Sequence, residues 1–115
     1  MTTIVISKDN NQSYKGFTCM GHAEFAKKKL FGGYEPDILC SAISAIVLNT
    51  LNSLEELAGE QMDVVTNEET GFIKCDFKSK LQDKSIFLLD SMVFGLENLS
   101  KEYGTQYLQV KFEEV

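Results

Sequence analysis

One imidazole and three thiols carry most of the chemistry open to this chain of 115 residues. His22 is its only histidine, so any imidazole-based proton transfer falls to that residue. Cys40 lies about one turn after Asp37 at the start of an apolar-periodic run, which puts it in the first turn of a helix. Unpaired backbone N–H groups and the positive end of the helix dipole favour an anion there, so a thiol at that position ionises more readily. Thiolates at helix N-termini are the usual nucleophilic cysteines, and a neighbouring imidazolium favours them further. A His22–Cys40 ion pair is one reading of these residues. The other is a cysteine packed in a helix face and a histidine ending a strand, because spacing alone does not set their separation.

The remaining thiols read as packing, since Cys19 shares a strand face with Phe17 and Cys75 one with Ile73 and Phe77. A zinc shell of Cys19, His22, Cys40 and Cys75 is a weaker alternative. Positions 19 and 22 fall on opposite faces of an extended strand, and no two cysteines have the close spacing of zinc knuckles. We therefore expect no metal and no cofactor.

The elements that must position these groups follow from periodicity. Residues 2–7 are largely β-branched, Lys8 to Ser13 is a turn, and Tyr14 to Gly21 is a second strand. From His22 to Pro36 the chain is irregular. This loop, 23–36, carries the charge run Lys27-Lys28-Lys29 and a loose Gly32-Gly33 pair. It reads either as a solvated excursion or as a hinged lid with Phe31 and Tyr34 as apolar contacts for a peptide. Asp37 then caps a helix running to Ala58 and stopped by Gly59; its first half is apolar almost all round, which predicts a buried beginning. Strands at Met62–Thr66 and Gly71–Phe77, a helix from about Lys84 to Tyr103 and an alternating strand with Leu108, Val110 and Phe112 on one side complete the order ββαββαβ. The expected fold class is α+β, a mostly antiparallel sheet with two helices packed on one face, in a single domain over 1–115. Apolar residues on several sides of the first helix also suit an isologous interface, so a homodimer is expected.

Composition narrows the partners. The formal net charge is -6 and there is no arginine, which argues against gripping a phosphate backbone. Direct nucleic-acid binding is therefore not expected, and the acidic balance favours encounter with basic partners. The opening Met1-Thr2-Thr3-Ile4-Val5-Ile6 reads as a strand rather than a signal, and no apolar run is expected to approach membrane-spanning length. An odd set of unpaired cysteines suits free thiols in the cytoplasm.

Gly21-His22-Ala23, a variable loop and then Asp37-Ile38-Leu39-Cys40-Ser41-Ala42-Ile43-Ser44-Ala45 resemble the ribosomal-processing cysteine proteases, the Prp family. The likeness covers the first half of the chain to about Leu57, and the ββαββαβ order of the remainder is compatible with that family's fold. The resemblance implies a small homodimeric bacterial enzyme that removes a short N-terminal extension from a protein of the large ribosomal subunit, with a cysteine nucleophile and a histidine base. Carried over by motif, these are Cys40 and His22. Amides of the first helical turn, that of Cys40 included, are candidate oxyanion donors. Asp37 suits either orientation of His22 or the N-cap; the cap is favoured, because a carboxylate beside Cys40 opposes thiolate formation. Ser44 falls on the same helix face as Cys40, as a supporting hydroxyl or simply a small packing residue. Leu39 stands where the family commonly has valine, Ser41 where it commonly has alanine, and the loop is longer and lysine-rich. The opposing reading is a non-catalytic ribosome-associated or protein-binding module on the same fold, with Cys40 inert.

Overall fold

The β-branched run after Met1 forms the strand around which the sheet assembles. In the computed structural model, which describes residues 1–23 and 37–115, β1 (Thr2–Lys8) pairs antiparallel with β2 (Tyr14–Met20) and parallel with β5 (Leu108–Glu114). Outside β2 lie β4 (Phe72–Phe77) and then β3 (Met62–Asn67), both pairings antiparallel, so the sheet order is β3-β4-β2-β1-β5. The two helices are α1 (Ile38–Glu56), which ends two residues short of Ala58, and α2 (Asp83–Tyr103). The expected element order and the mostly antiparallel sheet are both present.

Strand alternation gathers the core on one sheet face. Ile4 sits opposite Cys19, Ile6 opposite Phe17, and Phe17 opposite Cys75, all of them buried. Against this face α1 lays Leu39, Ile43, Val47, Leu51 and Leu54, and α2 lays Leu89, Met92, Val93 and Leu96, in one continuous cluster. Tyr14 extends the join, since its hydroxyl donates to Asp90 Oδ1 on α2 at 2.5 Å. Burial, and after it the Asp90 bond, raise the Tyr14 hydroxyl well above its ordinary range, so it stays a donor.

One expectation about burial needs correction. The beginning of α1 is not buried all round, because Ile38 is 66% and Leu48 45% exposed. A helix resting on one sheet and one neighbouring helix covers a single stripe, however apolar its other sides are. On β5, Phe112 shares a face with Leu108 but is exposed, having run past the helical layer; its ring instead faces the Lys8 ammonium at 5.6 Å. A second correction concerns α1 as a whole. It has 19 residues, and a stretch of 18 of them has a mean hydropathy of 1.4, so it is long and apolar enough to cross a bilayer. Here its stripe from Leu39 to Leu54 lies in the core.

The start of α2 is held by a residue outside the helix. Gln82, at its N-cap, makes no capping bond with its own side chain. Glu60 supplies the acceptor instead, taking the Gln82 backbone N–H at 3.2 Å, the Gln82 side-chain amide at 3.1 Å and the Ser85 hydroxyl at 2.6 Å. The Ser85 bond above all, with the Gln82 bonds, holds the Glu60 carboxyl below its ordinary value, while burial works in the opposite direction. Replacing Glu60 with glutamine is therefore expected to destabilise the fold by about 1–2 kcal/mol in urea titrations at neutral pH. A carboxyl depressed in the folded state stabilises above its unfolded pKa of about 4.3, and that stability is lost as the pH falls through the folded value. The gap between wild type and Glu60→Gln should thus be constant from neutral pH to about pH 5 and shrink below about pH 4. A gap that does not change on acidification would contradict the assignment.

Candidate active site

The site forms where the end of β2 meets the first turn of α1. After Met20 the chain leaves the sheet through Gly21, whose φ of +85° is joined by a close approach: an added Cβ would lie 2.5 Å from the Met1 carbonyl oxygen. That turn delivers His22. On the other side Asp37, in extended conformation, accepts the Cys40 N–H at 2.9 Å through Oδ1, and its carbonyl accepts the Ser41 N–H at 3.0 Å. This is an N-cap, which fixes the first turn and with it the direction of the Cys40 side chain. Leu39, fully buried, anchors the same turn in the core.

Between these two ends, Cys40 Sγ lies 3.9 Å from His22 Nδ1. The contact is long for a hydrogen bond. The other ring nitrogen, Nε2, lies 3.1 Å from the carbonyl oxygen of Glu69, in the turn between β3 and β4. A carbonyl only accepts, so this bond puts the neutral ring's proton on Nε2 and leaves the Nδ1 lone pair facing Cys40. Glu69 is absent from the sequence reading. Its turn is recognisable from Asn67 to Thr70, but nothing in the sequence places that turn beside His22.

Cys40 and His22 open onto a cavity of about 340 Å³. Ile43, Val47 and Leu48 of α1 form one wall, Thr66, Phe72 and Ile73 of the β3–β4 hairpin the other, and Cys19 contributes from β2. Ser44 lines the same space one turn beyond Cys40. Of the residues singled out in the sequence, the structure therefore gathers His22, Cys40, Asp37 and Ser44 in one place. Asp37 is bonded to the Cys40 amide. That bond corrects one expectation: the Cys40 amide is engaged in the cap and is not an idle oxyanion donor.

The other thiols differ in kind. Burial first, and charge on nearby Cys40 second, push the Cys19 thiol up to about 11. Burial, with Asp76 adding to it, pushes Cys75 up to about 12. Cys75 sits in the core with its sulfur 3.6 Å from Met62 Sδ, remote in character from any ligand shell. Among the described residues no three histidine, cysteine, aspartate or glutamate side chains come together to hold a metal. The Lys27–Lys29 run, Phe31, Gly32, Gly33 and Tyr34 lie outside the described residues.

Comparison with known proteins bears on this geometry. A sequence model of the family described as cysteine protease Prp matches residues 1–108. The ribosomal processing cysteine protease Prp of Bacillus subtilis (strain 168) is 24% identical over 107 residues, covering 90% of each chain. That of Staphylococcus aureus (strain Mu50) is 23% identical over 104 residues, covering 90% of this chain and 92% of its own. Among solved structures, Prp from S. aureus with a covalently linked product peptide superposes with a TM-score of 0.84 at 21% identity, over 98% of this chain and all (100%) of that one. The same protease with a substrate peptide gives 0.82 at 20% identity, with the same coverage. A Streptococcus mutans protein gives 0.81 at 22%, over 100% of this chain and 96% of its own. These likenesses carry the five-stranded sheet and two helices across the family. With the family match running from Met1, just before β1, to Leu108, the first residue of β5, the chain belongs to the Prp family and is a cysteine protease.

Proposed function

We propose that Cys40 is the nucleophile and His22 the base of this protease, and that its substrate is a large-subunit ribosomal protein carrying a short N-terminal extension. The observation that carries the dyad is the placement of Cys40 Sγ 3.9 Å from His22 Nδ1 at the mouth of an apolar cavity. The substrate rests on the family, whose relatives are named for ribosomal processing, and on the cavity walls of Ile43, Val47, Leu48, Phe72 and Ile73, which suit apolar side chains of an extended peptide.

In this reading Nδ1 takes the Cys40 proton, and the sulfur attacks the scissile carbonyl carbon to give a tetrahedral oxyanion. The imidazolium then protonates the departing amine as the C–N bond breaks, leaving a thioester on Cys40. Water, deprotonated by the same nitrogen, attacks the thioester, and its collapse returns thiol and imidazole. A covalently linked product peptide in the S. aureus relative fits chemistry that runs through a covalent intermediate. No cofactor takes part. Asp37 holds Cys40 through the cap, and Ser44 meets the substrate along the cavity.

The net charge of -6 suits encounter with a basic ribosomal protein, and three free cysteines suit the cytoplasm, where we place the reaction. Ile38 and Leu48 of α1 with Phe87 and Phe94 of α2 leave large apolar surface in water, and we assign it to a homodimer. Light scattering at micromolar concentration should give twice the chain mass of 12.9 kDa; a monomer would remove the dimer.

Incubation with a peptide carrying the ribosomal extension tests the dyad. Cys40→Ala should abolish cleavage and His22→Ala should slow it by at least about a hundredfold. Full activity in either variant would sink the assignment, and no cleavage by the wild-type protein would sink the proposed substrate. Iodoacetamide near neutral pH supplies a check without substrate. Cys40 should be alkylated, while Cys19 and Cys75, held protonated at about 11 and about 12, stay unmodified in the folded protein. Equal labelling of the three would contradict the thiol assignment.

A further inference from the structure

The Glu69 carbonyl does more than neighbour the ring. Cysteine and serine hydrolases commonly use a third group to hold the imidazole in the tautomer and orientation that face the nucleophile. Among the described residues, the group bonded to the far nitrogen of His22 is a backbone carbonyl, at 3.1 Å. Asp37, the acidic residue suggested for that task by sequence, is bonded to the Cys40 amide.

A carbonyl orients a ring only if its own turn is rigid, and this one is braced at several points. Asn67, the last residue of β3, accepts the Glu69 N–H at 3.1 Å and the Thr70 N–H at 3.4 Å through Oδ1. Its backbone carbonyl takes the Thr70 hydroxyl at 3.4 Å, and the Gly71 N–H closes the turn onto Glu68 at 3.3 Å. The turn also presses directly on the segment bearing His22. Gly71 has a φ of +67°, and a Cβ there would lie 2.5 Å from the Gly21 carbonyl oxygen and 3.1 Å from His22 Cε1. Only a glycine lets the hairpin backbone come this near to the ring.

We propose that the β3–β4 turn is the positioning element of the active site, with the Glu69 carbonyl fixing the Nε2–H tautomer of His22 and Asn67 and Gly71 as positioning residues that hold that carbonyl in place. This rests on the dyad reading for its catalytic consequence, but the tautomer itself is independent of that reading. The apolar cavity brings a further consequence, because the same hairpin supplies Phe72 and Ile73 to its wall. The element that aims the base thereby also contacts the peptide.

The chain's single histidine makes the test clean, since every imidazole nitrogen signal belongs to His22. Heteronuclear NMR of the Cys40→Ala protein at about pH 9, above the ordinary imidazole titration, reads the neutral tautomer with the thiol removed. The Nε2–H form is expected. Adding Asn67→Ala should produce a mixture of tautomers, and Asn67→Asp, which keeps the acceptor, should retain the single form. In the enzyme with Cys40 intact, Asn67→Ala should lower kcat about 10- to 100-fold with a smaller change in KM, and Asn67→Asp should restore most of it. A predominant Nδ1–H form, or an Asn67→Ala protein whose tautomer is unaltered whatever its activity, would overturn the positioning role. A tautomer that shifts while cleavage stays at the wild-type rate would uphold the positioning of the ring and overturn the dyad instead.

Discussion

Everything proposed for this protein depends on two chain ends meeting: the exit of β2, which carries His22, and the entry of α1, which carries Cys40. Neither is held by the Cys40–His22 contact, which at 3.9 Å is too long to organise anything. The helix end is fixed by the Asp37 cap on the Cys40 amide and by Leu39 in the core. The strand end is fixed by the ladder to β1 and by the tight passage of Gly21 past Met1. The dyad geometry is thus inherited from ordinary fold-stabilising interactions, one helix cap and one sheet register. Losing a cap of this kind costs about 1 kcal/mol of stability. The same cap holds the turn that carries Cys40, the proposed nucleophile.

The sheet order explains why a third element joins these two. Because β4 lies beside β2, the β3–β4 turn falls at the same end of the sheet as Gly21 and His22, and its carbonyl reaches the ring. The three thiols then separate by environment. Cys19 and Cys75 lie in the strand layer, where burial keeps them protonated, while Cys40 stands at the partly exposed helix entry. In the proposed reading the chemistry falls to Cys40, and burial alone is enough to set the other two thiols apart.

Much of this was legible in the residues and some of it could not be. Alternation and helical spacing place all seven elements to within about two residues, because each reports local geometry that the chain repeats along itself. The Asp37 cap is likewise local and readable. The nearness of His22 and Cys40 is not, since a long irregular segment separates them and no spacing rule crosses it; the Gly-His-Ala and Asp-Ile-Leu-Cys motifs carried that inference by resemblance. Glu69 and Glu60 escaped for a related reason. Both act on elements distant in sequence, Glu69 through a backbone carbonyl that any residue could supply and Glu60 as a cap lent from outside its helix. The exposed Ile38 and Leu48 mark a different limit: counting apolar residues around α1 says how much it is able to bury, not how many neighbours the fold provides.

The most direct test of the central claim is capture of the covalent intermediate. The intact protein would be mixed with a peptide bearing the ribosomal N-terminal extension, quenched in acid within one turnover, and its adduct located by mass spectrometry. The account predicts the N-terminal product joined as a thioester to Cys40, and no such adduct in Cys40→Ala. Cleavage with the product on Cys19 or Cys75, or cleavage that persists in Cys40→Ala, would contradict it.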